Sequence, residues 1–179
     1  MKSVKILDKK FHESIAASDI QKRITDLAAT INTDFTGKEI DFVVVLNGAF
    51  MFAAELLKQI QLNCRVIFVK LASYEGVKNT GTIRQLIGLN ESLAGRIVIV
   101  LEDIIDSGNT INHIIGQLSG QNASEIFIAT LLFKSGVYQE QHKIHYFGFE
   151  IPNDFIIGYG LDYNGYGRNL DSIYTIIHE

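Results

Sequence analysis

The 179-residue chain has one cysteine, Cys64, one proline, Pro152, and no tryptophan. A lone cysteine cannot close an internal disulfide or build a thiolate-rich zinc site, so a reducing, cytoplasmic setting is expected. Cys64 leads into Arg65-Val-Ile-Phe-Val69, which reads as a strand, and is expected to be a small core residue. No segment approaches the ~20 apolar residues of a membrane span, and Met1 to Asp8 lacks the apolar run of a signal peptide. Asn90-Glu-Ser92 and Asn122-Ala-Ser124 therefore read as accidental glycosylation sequons. Positive charge is also scarce: 16 Lys and Arg face 20 Asp and Glu, a net charge of −4. Nucleic acid and anionic lipid are recognised by clustered cations, so neither is an expected partner. On net charge alone, an anionic substrate is disfavoured as well.

The chain has no internal repeat, low-complexity tract or linker, and its length suits one domain over residues 1–179. Ser18 and Gln21 have capping-box spacing, followed by Ile20, Ile24, Leu27, Ala28 and Ile31 at helical intervals. Phe42-Val-Val-Val-Leu46 is the continuous apolar run of a strand buried on both faces, and a helix is expected from about Phe50 to Ile60. The same strand, turn, helix order is read after Arg65–Val69 and again from Ile97–Leu101 into a helix over about Thr110 to Leu118. A further strand is read over Ile126 to Phe133. This alternation predicts an α/β fold, a mostly parallel twisted sheet flanked by helices, with ligands beyond the carboxyl ends of its strands. Two stretches break the rhythm: a polar excursion over about 72–86, read as a flexible lid, and an aromatic, Gly- and Asp-rich segment over about 149–177 with short strands at Phe155–Ile157 and Ile173–Ile177.

The chemistry concentrates in Leu101-Glu-Asp-Ile-Ile-Asp-Ser-Gly-Asn-Thr110. An apolar strand ends in Glu102 and Asp103, and Asp106 then introduces a Ser-Gly-Asn-Thr turn that opens a helix. Free N–H groups at a helix start, a glycine and flanking hydroxyls form a phosphate cradle, while the paired carboxylates suit sugar hydroxyls or Mg²⁺. A plain helix cap would account for one carboxylate, not three. A receiver-type site with acids at a strand end is also open, although it does not call for this turn.

This stretch closely resembles the phosphoribosyl diphosphate motif of the purine phosphoribosyltransferases, and the chain as a whole resembles their hypoxanthine(-guanine) branch. Four further segments follow in the family's order: Val45-Leu-Asn-Gly48, Ser73-Tyr74, Leu131-Leu-Phe-Lys134, and Phe149 through Asn164 with Arg168 beyond. The resemblance implies transfer of the 5-phosphoribosyl group from Mg²⁺-bound 5-phosphoribosyl 1-diphosphate to a 6-oxopurine. Hypoxanthine, and with it guanine, would give the nucleoside monophosphate and diphosphate. It implies ribose and Mg²⁺ contacts by Glu102 and Asp103, a 5′-phosphate site at Ser107, Gly108, Asn109 and Thr110, and Asp106 as the acid/base for the purine N7 proton. Diphosphate would meet Leu46, Asn47, Gly48 and Arg168. Lys134 would donate to the purine O6, Phe155 would stack on the base, Ile156 would meet its edge, and Asp162 would be a further Mg²⁺ ligand beside it. Ser73 and Tyr74 would belong to the lid, and residues 149–177 with the N-terminal segment would form a small base-binding hood. Homodimers or homotetramers are implied too. By this resemblance, part of the chain's acidity, at Glu102, Asp103, Asp106 and Asp162, would belong to a site for a phosphorylated substrate.

Some positions depart from the family pattern. Asn47 stands where a basic residue is frequent, Ser107 replaces Thr, Asp154 precedes Phe155 in place of a base, and Gly165 and Gly167 replace bulkier residues and are expected to loosen the loop presenting Arg168. Gly76-Val-Lys-Asn-Thr-Gly81 has Walker A glycine spacing but is followed by Thr82-Ile83, without the phosphate-binding lysine. Gly158, Gly160, Gly165 and Gly167 form no dinucleotide fingerprint. His142 and His145 have no partner ligands in sequence and are expected to be exposed near a turn. The rival to an enzyme is a regulator on the same fold that binds nucleotide without catalysis, for which a basic patch or an added DNA-binding domain is expected.

Overall fold

The computed structural model describes residues 2–73, 83–89, 91–139 and 141–177. Among the described residues, ten strands and three helices run in the order β1 (Ser3–Ile6), β2 (Lys9–Ile15), α1 (Ala17–Asp34), β3 (Ile40–Leu46), α2 (Phe50–Leu57), β4 (Cys64–Ser73), β5 (Ile83–Ile87), β6 (Ile97–Ile105), α3 (Asn109–Gly120), β7 (Glu125–Phe133), β8 (Tyr146–Glu150), β9 (Ile156–Ile157) and β10 (Ile173–Ile176). The main sheet has the order β5-β4-β3-β6-β7-β8. Five of its strands are parallel, and β5 pairs antiparallel with β4 at the edge.

The apolar runs form the centre of this sheet because both of its faces are covered. Phe42, Val44, Ile99 and Leu101 pack with α1 and α2, while Val43, Val45, Val98 and Val100 pack with α3. Burying one such side chain contributes about 1.5–3 kcal/mol. At the opposite end of the strands from the site, the fully buried Asp41 carboxylate accepts hydrogen bonds from Arg65 of the neighbouring strand and from Arg96.

Four antiparallel strands in the order β1-β2-β10-β9 form the second sheet. Phe11, Ile157 and Tyr174 are its small core. This is the hood of terminal segments, and it is joined to α1 by a long-range bond. The Ser172 hydroxyl accepts from the Ala17 N–H at 3.1 Å. The expected capping box is therefore not formed: Ser18 lies inside α1, whose N-cap residue Ala16 has no side-chain bond, and Gln21 donates to the Tyr159 hydroxyl instead.

Other expectations are corrected. The strand read over Arg65–Val69 extends to Ser73 as β4 and pairs antiparallel with β5, and the turn and helix read after it fall on 74–82, outside the described residues. β6 does not end at Leu101 but runs through Glu102 and Asp103 to Ile105. Cys64 is exposed, because only the Ile67 and Val69 face of β4 packs against the core, leaving Val66 and Phe68 on the other face open as well. His142 and His145 are half-buried, and His145 Nδ1 accepts from the Ile128 N–H at 3.1 Å. No helix among the described residues is long and apolar enough to cross a membrane.

Candidate functional site

Parallel pairing brings three strand ends into one row. Ile105 of β6 is opposite Phe133 of β7, which is opposite Glu150 of β8. The Lys134 N–H donates to Ile105 O and the Ile151 N–H donates to Phe133 O, both at 2.9 Å, so the chain stays in register just past the strands. The first side chain after β6 is Asp106 and the first after β7 is Lys134. Lys134 Nζ lies 3.1 Å from Asp106 Oδ2 and 3.1 Å from Asn153 Oδ1. Lys134 is buried, whereas the Asp106 side chain is 52% exposed. A solvated lysine ending a strand is thereby excluded.

Residues 102–111 line a cavity of about 310 Å³. At its floor Gly108 precedes α3 with φ of 91°, a left-handed conformation that suits glycine, and no side chain caps the helix. The first-turn N–H groups are therefore not taken up by an N-cap side chain. The Tyr138 ring packs on this glycine, where a Cβ would come within 2.6 Å of it. The Tyr138 hydroxyl donates to His142 O at 2.7 Å, which holds the ring in the turn after Lys134, and the ring's contact with Gly108 joins that turn to the start of α3.

Glu102 and Asp103 stand in the same cavity. Burial pushes the Glu102 carboxyl well above the usual range, reinforced by the charge of Asp103, and Glu102 Oε2 has no hydrogen-bond partner. Burial pushes Asp103 up to about 6, against N–H donation and the positive charge of Arg168. Gly48 abuts Asp103 so closely that any Cβ would overlap its carboxylate. The Leu46–Asn47 peptide just before it is cis.

A second cavity, of about 250 Å³, shares Asp103, Ile104 and Asp106 with the first and opens onto Lys134, Phe155, Ile156, Asp162 and Arg168. Phe155 is 46% exposed and its ring meets Tyr163 edge-on at 5.8 Å. Arg168 Nη1 donates to Gly160 O at 2.7 Å and its Nη2 pairs with Asp162 Oδ1. The other Asp162 oxygen accepts from the Gly165 N–H at 2.6 Å, so both carboxylate oxygens are engaged within the protein. Gly165 does not loosen this loop. Asn164 and Gly165, with φ of 51° and 85°, form a tight turn closed by reciprocal Tyr163–Tyr166 hydrogen bonds.

The structure thus gathers Glu102, Asp103, Asp106, Ser107, Gly108, Asn109 and Thr110 around one cavity, and Gly48, Lys134, Phe155, Ile156, Asp162 and Arg168 around its neighbour. Leu46 and Asn47 lead into Gly48 from β3. Ser73 ends β4, and Tyr74 lies outside the described residues. Sequence reasoning missed Tyr138 and Asn153. Tyr138 carries no local signal, and Asn153 lies without an assigned role inside the Phe149 to Asn164 segment.

The sequence profile described as "Phosphoribosyl transferase domain" matches residues 13–164. The hypoxanthine phosphoribosyltransferase of Haemophilus influenzae is 34% identical over 177 residues, covering 96% of this chain and 99% of that protein. The chain belongs to the hypoxanthine-guanine phosphoribosyltransferase family. A Mycobacterium bovis hypoxanthine-guanine phosphoribosyltransferase is also 34% identical, over 90% of this chain and 84% of its own. Among solved structures, the hypoxanthine-guanine phosphoribosyltransferase of Bacillus anthracis superposes with a TM-score of 0.86 at 34% identity, over 93% of this chain and 97% of that one. The five parallel strands with their flanking helices are the type I phosphoribosyltransferase fold.

Proposed function

We propose that the protein salvages 6-oxopurines, transferring the 5-phosphoribosyl group of 5-phosphoribosyl 1-diphosphate to hypoxanthine, and to guanine, to give the nucleoside 5′-monophosphate and diphosphate. The observation that carries this reading is the Asp106–Lys134 pair at adjacent strand ends, beside a cavity walled by Phe155 and Ile156.

The base lies on the Phe155 ring and against the Ile156 backbone, with its O6 accepting from Lys134. Asp106 takes the proton from the purine N7 as the nitrogen at position 9 attacks the anomeric carbon, a contribution typically worth 10²–10⁴-fold. The 5′-phosphate sits on the N–H groups and hydroxyls of Ser107 through Thr110, and the ribose hydroxyls meet Glu102 and Asp103. Arg168 and the backbone of Leu46, Asn47 and Gly48 receive the departing diphosphate; Asn47 brings no charge there, so backbone donation carries more of the load. Holding both reactants in line removes much of the entropic barrier to displacement. Of the expected lid over about 72–86, Ala72 and Ser73 end β4, Ile83 to Leu86 belong to β5, and 74–82 with Tyr74 lie outside the described residues; its role in this reading is to exclude water from the ribosyl centre, while residues 149–177 with the N-terminal strands close over the base.

The donors fit Mg²⁺. Glu102 Oε2 is buried and unpaired beside the Asp103 carboxylate. Oxygen donors of this kind suit an ion held by one or two carboxylates together with substrate phosphates. Glu102 and Asp103 would hold it, joined by Asp162 once its pairing with Arg168 is exchanged, and the ion would neutralise diphosphate charge. Assembly into homodimers or homotetramers is supported by the exposed apolar Phe50, Val66 and Phe68. A cytoplasmic setting follows from the phosphorylated substrate.

Incubation with hypoxanthine, phosphoribosyl diphosphate and Mg²⁺ is expected to yield inosine monophosphate and diphosphate. Absence of product with every 6-oxopurine would overturn the reading. Retention of both Asp106 and Lys134 speaks against the non-catalytic regulator.

A further inference from the structure

We propose that Asn153 is a positioning residue for base recognition, fixing the rotation of the Lys134 ammonium so that its one uncommitted proton faces the base. This rests on the assignment of Lys134 to the purine O6.

An ammonium group has three donors and no acceptor. Two of the Lys134 protons are committed, one to Asp106 Oδ2 and one to Asn153 Oδ1. Because Lys134 can only donate, the amide oxygen of Asn153 must be the atom turned toward it. The Lys134 side chain is 9% exposed, so water offers little alternative, and it lines the cavity that Phe155 and Ile156 also wall. With two anchors in place, the third proton has one direction left.

The fold supplies the anchors without reference to the rest of the hood. Asp106, Lys134 and Asn153 follow β6, β7 and β8, neighbours in the sheet, and the Lys134–Ile105 and Ile151–Phe133 backbone bonds hold the segments that carry them. A neutral acceptor suits the task. A carboxylate at 153 would form a charge-assisted bond and compete with the uncharged carbonyl of a base for the same ammonium. A fixed donor pairs with a 6-oxo acceptor and opposes a 6-amino donor, so Asn153 would sharpen discrimination against adenine. An ammonium released from Asn153 would turn freely about its terminal bond and lose part of that selectivity.

The test compares Asn153→Ala and Asn153→Asp, each alone and combined with Lys134→Ala, using hypoxanthine, adenine and phosphoribosyl diphosphate, with thermal unfolding of every variant. Loss of one hydrogen bond predicts that Asn153→Ala raises KM for hypoxanthine about five- to tenfold. KM for phosphoribosyl diphosphate is expected to stay within about twofold, and the preference for hypoxanthine over adenine to fall. The nearly isosteric Asn153→Asp is expected to raise KM for hypoxanthine as well, which separates the effect from loop collapse. In the Lys134→Ala background, Asn153→Ala is expected to add nothing. Unchanged hypoxanthine KM, an equal rise in both KM values, or a full additional effect without Lys134 would overturn the proposal while leaving the transferase reading intact. Wild-type protein that makes no nucleotide from any 6-oxopurine would overturn both.

Discussion

Glu102 and Asp106 are four residues apart in the chain and live in opposite environments. Glu102 is buried with an unpaired oxygen; Asp106 is half in solvent and bonded to Lys134. A buried carboxylate without partners costs stability, and the tolerable explanation is that a ligand completes it. Glu102→Gln keeps the shape and removes the charge, so at pH 8 without ligand it is expected to be more stable than wild type by about 1 kcal/mol in denaturant titration. The same change is expected to weaken Mg²⁺-dependent binding of phosphoribosyl diphosphate, read by calorimetry. Asp106→Ala separates differently: kcat for nucleotide formation is expected to fall about 10²- to 10⁴-fold with little change in phosphoribosyl diphosphate affinity. Equal losses in both would reduce Asp106 to a positional role.

At the scale of elements, the helix α3 start is the part most sensitive to a single methyl group. Gly108→Ala puts a side chain at φ of 91° and against the Tyr138 ring, so a loss of about 1–3 kcal/mol is expected together with weaker binding of ribose 5-phosphate. Wild-type affinity in that variant would show that the loop does not act as the phosphate seat. The elements legible in the sequence were those whose residues answer to local pattern. β3, β6 and β7 are buried on both faces and read as continuous apolar runs, and the turn at residues 106–110 announces itself by residue type. Where a distant partner decides, the pattern misled. The start of α1 is satisfied by Ser172 and not by its own Ser18, and Cys64 lies on a strand face that nothing among the described residues covers. β1 alternates cleanly but over only four residues, and β2 and β8 are partly exposed without clean alternation, so none of the three is legible as a strand. Asn153 and Tyr138 act through contacts that exist only once the sheet has set its strand order, beyond the reach of spacing.

For the whole molecule, the two ends of the parallel sheet divide the labour. Beyond its carboxyl ends lies the ligand site; at the other end Asp41 ties β3 to β4 and to Arg96. Burial alone would raise the Asp41 carboxyl, but hydrogen bonds and charge from Arg65 and Arg96 outweigh it and hold the group below its ordinary value of 3.8. Its folded-state pKa is lowered, so its stabilisation is present above about pH 4 and is lost as pH falls through the folded value. Asp41→Asn is expected to cost roughly 3 kcal/mol at pH 7, since it removes the carboxylate bonded to Arg65 and leaves Arg96 only the exposed Glu39. The gap to wild type is expected to close below pH 4, as followed by urea unfolding across the pH range.

The hood has a bearing on how the protein comes into being at a ribosome. Strand β2 pairs with β10, so Phe11 meets Ile176 across nearly the full length of the chain. Contacts of such separation form late, after the loop between them has been closed. Four of the five parallel strands and the cavity at the start of α3 can assemble from residues up to 133, but β9, which carries Ile156, waits for its partner β10 at residues 173–176. A nascent chain of this protein would therefore form the cavity proposed for the phosphorylated sugar before the one proposed for the purine.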